Sequence, residues 1–155
     1  MKKTLTFFFF LFITSLLAQD AYVDSLKTAL QTSTDVQKIE IYLDLSNYFS
    51  YSSNEKVIEY GKKALALSQK LNHKDGIANA FYRLGEGLVN QKEYDRAFEY
   101  YLKSLNLFEE IEDTEGIFMA NNGFGRAYDN AGKYQKAFEY YSAALKQAEK
   151  NQDKK

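Results

Sequence analysis

The residues that could do chemistry are few and poorly assorted for it. His73 is the single histidine of the 155-residue chain, and there is no cysteine. It falls in Leu71-Asn72-His73-Lys74-Asp75, a hydrophilic stretch with no nucleophile motif beside it, and reads as a solvated connection residue. One imidazole and no thiolate leave no ligand set for a structural or catalytic zinc site. The carboxylates gather in Glu109-Glu110 and Glu112-Asp113, which read as a solvated helix end. Gly85-Glu86-Gly87 and Gly123-Phe124-Gly125 are too short for a phosphate-binding loop, and neither follows a strand pattern. Twenty Lys+Arg stand against 21 Asp+Glu, so no basic excess is available to displace counterions from nucleic acid. The expectation is a protein without catalysis, cofactor or metal, and with neither nucleic acid nor a small-molecule substrate as partner.

The elements that carry these residues follow from periodicity. Lys2 and Lys3 precede an apolar run from Leu5 to Ala18, too short for a helix that must span ~30 Å of hydrocarbon. Basic start, short apolar core and Ala18 before Gln19 predict a signal peptide over residues 1–18, hence export to a periplasm or the medium. An uncleaved membrane anchor is the alternative. The exported part carries 18 basic against 21 acidic residues.

Laying residues 76–115 over 116–155 gives 14 identities in 40 positions without a gap, including Ala97-Phe98-Glu99-Tyr100-Tyr101 against Ala137-Phe138-Glu139-Tyr140-Tyr141. A weaker copy precedes them. Leu45, Ser46 and Phe49 lie 39 residues before Leu84, Gly85 and Leu88, whereas Glu59 and Tyr60 lie 40 before Glu99 and Tyr100. One residue is therefore missing near Ser53-Asn54, where a turn would absorb the loss. Each copy reads as two helices: Ala80, Phe81, Leu84 and Leu88 recur at helical spacing, then Ala97, Tyr101, Ser104, Leu105 and Phe108. The recurrent small residues Ser46, Gly85 and Gly125 predict close helix–helix contact, because glycine inside a helix costs ~1 kcal/mol relative to alanine. The expected chain is all-α, with a lead-in helix in residues 19–34 covering the first copy and repeats over about 35–74, 75–114 and 115–155.

Leu84-Gly85 with Leu88, Ala97, Tyr101 and Ser104, and Phe124-Gly125 with Tyr128, Ala137, Tyr141 and Ala144, resemble the tetratricopeptide repeat. The 40-residue period is similar to an extended variety found in bacterial regulators and exported sensor proteins. The first copy departs from the pattern at Ser46 and Gly61. The resemblance implies a right-handed superhelical solenoid of antiparallel helix pairs whose first helices line a concave, peptide-holding groove. The residues projecting into it would be Leu43, Asn47, Ser50 and Tyr51 in the first copy. In the second they would be Asn79, Tyr82, Glu86, Val89 and Asn90, and in the third Met119, Asn122, Arg126, Asp129 and Asn130. From these, Asn47, Tyr51, Tyr82, Glu86, Asn90, Asn122, Arg126, Asp129 and Asn130 form the candidate partner site. Asparagine offers both donor and acceptor to a peptide backbone. A clamp for a partner's C-terminal carboxylate is disfavoured, since Leu43 stands where the clamp lysine would be and Glu86 and Asp129 add negative charge.

Two functions are expected from such a chain. One is a non-catalytic scaffold binding a protein or peptide segment in the groove. The other is the sensory input region of a membrane-bound kinase or transcriptional regulator whose output part would follow residue 155. The last helix carries Phe138, Tyr141 and Leu145 at apolar spacing with no later helix in the sequence to cover them. Three readings stay open there: the sequence continues in a longer protein, this end self-associates with another copy, or the Lys-rich residues 146–155 serve as a cap.

Overall fold

A computed structural model describes residues 21–152, and the predicted signal peptide lies outside them. The chain divides into two compact units, residues 1–34 and Asp35–Lys155. In the first unit, helix α1 spans 21–29, and the hydroxyls of Ser25 and Thr28 donate to the Tyr22 and Asp24 carbonyls of the same helix. The second unit consists of α2 (Asp35–Tyr48), α3 (Asn54–Lys70), α4 (Lys74–Asn90), α5 (Tyr94–Glu110), α6 (Thr114–Asn130) and α7 (Tyr134–Gln152). There is no strand among the described residues. The helices pair as α2/α3, α4/α5 and α6/α7, and each pair packs on the next, so the unit is a solenoid of three helical hairpins.

The connections explain the period. Asn72, Lys92, Glu112 and Gly132, spaced 20 residues apart, all take positive φ, between 52° and 72°. In each case the following amide reaches five residues back: His73 to the Ser68 carbonyl, Glu93 to Leu88, Asp113 to Phe108 and Lys133 to Tyr128. This Schellman closure satisfies carbonyls that a helix end leaves orphaned. The first hairpin lacks it. There α2 runs on as a single 3-10 turn, Phe49–Tyr51, and Ser53 caps α3 through its side chain. The left-handed residue is the one missing from the sequence near Ser53, and the rest of the register survives.

His73 is not a free loop residue. It sits half-buried at the start of α4, where its Nδ1 accepts from the Gly76 amide at 3.0 Å. Asp113 performs the same service for α6 by accepting from the Glu115 amide. Capping by a side-chain acceptor supplies one of the partners a helix start requires.

The core is built around one ring. Tyr101 of α5 is fully buried, and a Cβ added at Gly85 of α4 or at Gly123 of α6 would come within 2.7 and 2.8 Å of its ring. Both glycines are there to admit it. Tyr82, Leu88, Val89, Ala97, Phe124 and Ala127 complete this cluster. Gly125 stands in the same relation to Tyr141, with only 2.6 Å for an added Cβ. In the first hairpin the sizes differ: Ser46 donates its hydroxyl to the Val57 carbonyl, and Gly61 occupies the tyrosine position.

Candidate functional site

The candidate site lies on the first helices of the hairpins, α2, α4 and α6. Glu86 is at its centre, buried about one turn before the C-terminal end of α4. A carboxylate so placed requires partners, because an unpaired buried charge is strongly unfavourable. It has three. Arg83, one turn earlier, donates to Oε2 at 2.6 Å, Arg126 of α6 donates to Oε1 at 2.7 Å, and the Tyr82 hydroxyl donates at 3.4 Å. Arg126 occupies the position of Glu86 one repeat later, so a 40-residue ladder of equivalent sites brings opposite charges together across the hairpin junction. Asn47 occupies that position in α2 and is exposed.

Electrostatics in the cluster follow from burial and from this pair. Burial, with the Glu86 charge adding to it, pushes the Tyr82 phenol up to about 12. Tyr101 is pushed up for the same two reasons. Burial works against the Arg126 charge, but Tyr101 and Glu86 together outweigh it and hold the guanidinium above its usual range. Arg126 Nε and the Tyr101 hydroxyl are buried and neither completes a hydrogen bond. The cluster holds two arginines against one carboxylate.

The other candidate residues distribute unevenly. Tyr82 and Glu86 are buried in the ion-pair cluster, so the groove meets their neighbour Arg126, which remains partly open, more readily than it meets them. Asn47, Asn122, Asp129 and Asn130 are exposed. Asn90 is exposed but employed, its amide donating to the Ser50 carbonyl at the end of the first hairpin's leading helix. Tyr94 makes a comparable tie, its hydroxyl donating to the Asn130 carbonyl. Tyr51 lies in the 3-10 turn with its ring almost wholly in solvent. Among the further residues read as groove-facing, Leu43 and Val89 are buried in the core and Asn79 is held by Asp75. Arg83 was missed by the sequence reading. The signal was present: it lies three residues before Glu86, where opposite charges on a helix meet.

The architecture is that of a helical-repeat solenoid. Residues 76–150, which make up the second and third hairpins, match the tetratricopeptide repeat family. Repeats of this family are typically non-catalytic scaffolds for other proteins. Among solved structures, the tetratricopeptide repeat domain of Arabidopsis FLU superimposes with a TM-score of 0.67 at 24% identity, over 76% of this chain and 99% of that one. MamA aligns over 90% of this chain and 94% of its own at 21% identity, with a TM-score of 0.42. No curated protein matches the sequence.

Proposed function

We propose that this chain is a non-catalytic scaffold that captures an extended protein segment along its first helices, and that it acts outside the cytoplasm. The observation that carries the reading is the row Asn47, Asn122, Asp129 and Asn130, exposed side chains at groove positions, beside an Arg126 that Glu86 already holds in place. Amides and one aspartate can pair with a peptide backbone and with a basic side chain. Arg126, fixed in advance, loses little further freedom on binding. A segment of mixed or slightly basic character suits this set.

The test is a comparison of partners. Asn47→Ala, Asn122→Ala and Asp129→Ala together remove groove side chains that take no part in the ion-pair cluster, so the melting temperature should stay unchanged. Affinity capture from source cells should then lose the partners that the unaltered chain retains. Recovery of the same partners by both proteins rules the groove out. Export is checked separately: the mature protein should begin at or near Gln19 on N-terminal sequencing, and a mature chain that retains Phe7–Phe10 excludes cleavage there.

A further inference from the structure

The 40-residue register allows two equivalent junctions to be compared residue by residue, and one of the places where they differ leaves an open space. At the junction of the second and third hairpins, the space above α6 between α5 and α7 is filled with stacked rings. Phe98 lies 4.1 Å from Tyr128, and Phe124 lies 4.5 Å from Tyr140, ring centre to ring centre, with interplanar angles of 22° and 16°. Tyr128 in turn stacks on Tyr140 at 5.4 Å. One repeat earlier, the equivalent residues are Ile58 for Phe98, Leu84 for Phe124 and Leu88 for Tyr128, while Tyr100 stands for Tyr140. Three of the four rings are absent. In their place is a cleft of about 580 Å³ between α3 and α5, floored by Leu84 and Leu88 and walled by Ile58 and Tyr100.

The cleft is on the far side of α4 from the ion-pair cluster. Leu84 and Leu88 each lie two residues from Glu86, and a helix turns ~100° per residue, so they point away from it. From Leu84 to Gln91 the floor runs for roughly 10 Å at 1.5 Å per residue. Its rim carries Glu55, Glu59, Lys62 and Arg96. Two of these are engaged elsewhere: Glu59 with Lys63 at 2.6 Å, and Arg96 with Glu93. Glu55 accepts only the neighbouring Ser53 hydroxyl among the described hydrogen bonds, and Lys62 enters none of the described ion pairs.

We propose that this cleft is a second docking site, for a segment of a partner protein that inserts aromatic side chains where the next junction supplies its own. The filled junction states the chemistry of the occupant. Its rings rest flat on those at the equivalents of Leu84 and Tyr100, and Phe124 and Tyr128 sit 6.4 Å apart, a spacing two aromatics of one segment can match. Stacked aromatic pairs contribute beyond their buried area, so an inserted ring gains from Tyr100 as well as from the leucines. The elongated floor favours a segment over a single small ring. Glu55 and Lys62 at the rim, neither in a described ion pair, favour flanking residues of both signs on that segment.

The experiment selects binders from a displayed library of random 12-residue peptides on the full chain. Enriched peptides should carry aromatic residues and, added to the methyl-labelled protein, should shift the Ile58, Leu84 and Leu88 resonances. The variant Ile58→Phe with Leu88→Tyr, which restores two of the missing rings, should bind them at least tenfold more weakly. The groove variant described above should bind them unchanged. Enrichment without aromatics, no enrichment, or shifts confined to α6 or α7 overturns the proposal. So does undiminished binding by a ring-filled variant that circular dichroism shows to be folded. If that variant does not fold, the methyl shifts of the unaltered chain decide the question alone.

Discussion

The junction between the first and second hairpins and the one between the second and third share a backbone plan and are sealed by different means. At the later junction a tyrosine on the second helix, Tyr101, meets a glycine on the next first helix, Gly123. At the earlier one the sizes are reversed: Gly61 takes the tyrosine position and Arg83 the glycine position, with Leu84 closing over Gly61 at 3.2 Å from where a Cβ would stand. A ring driven between two glycines leaves no freedom, whereas a glycine under a leucine leaves some. The reversal also frees Arg83 to join Glu86 rather than fill a gap. The repeats thus teach that helix spacing is preserved by the sum of facing volumes rather than by either residue alone.

The contrast is broken most severely by emptying the later junction. Tyr101→Ala should cost about 3–5 kcal/mol, the range for deleting a large buried aromatic. Denaturant unfolding measures it, and a loss below about 1 kcal/mol would mean the ring is not the centre of the packing.

Alkaline pH acts on the same cluster. Tyr82 keeps its proton in the folded state up to about 12, while an unfolded tyrosine releases it near 10.0. The unfolded chain therefore binds fewer protons between those values, and stability present below pH 10 is lost as pH rises to about 12. Two units correspond to roughly 2–3 kcal/mol. Tyr82→Phe should flatten this limb of the stability curve, and an identical limb in the variant would show that the loss arises elsewhere.

A matched pair of glycine substitutions sharpens the comparison directly. Gly85→Ala should destabilise by about 1–3 kcal/mol, because the added methyl meets the immobile Tyr101 ring. Gly61→Ala meets Leu84 Cδ2 and Cγ at 3.2 and 3.3 Å, looser than the contacts at Gly85, and the helix propensity of alanine offsets the crowding. Its melting temperature should stay within a degree or two of the parent or rise. Equal losses at both sites would erase the proposed difference between the junctions.

The smallest effect belongs to the turns. Glu112→Gly relieves a left-handed residue at φ 55° and should stabilise by about 1 kcal/mol or less, whereas Gly132→Ala should do the reverse. Thermal melts of the two variants check the opposite signs.

The helices, their pairing and the missing turn residue were legible in the amino-acid sequence because each depends on neighbours within a few positions. Apolar spacing fixes which face a helix buries, and the 40-residue identities fix which helix follows which. The one-residue slip near Ser53 falls in a turn, as its position in the alignment implies. The site was legible only as a set of positions. Asn47, Glu86 and Arg126 are equivalent by spacing, yet Asn47 is in solvent, Glu86 is buried and Arg126 lies between. That ordering depends on a partner 40 residues away, since the Glu86 carboxylate is sequestered by the arginine of the next hairpin. The open cleft beneath α3 and α5 is of the same kind. Ile58, Leu84 and Leu88 are ordinary core residues to any local reading, and only three helices packed together reveal that they fall short of the rings that close the neighbouring junction.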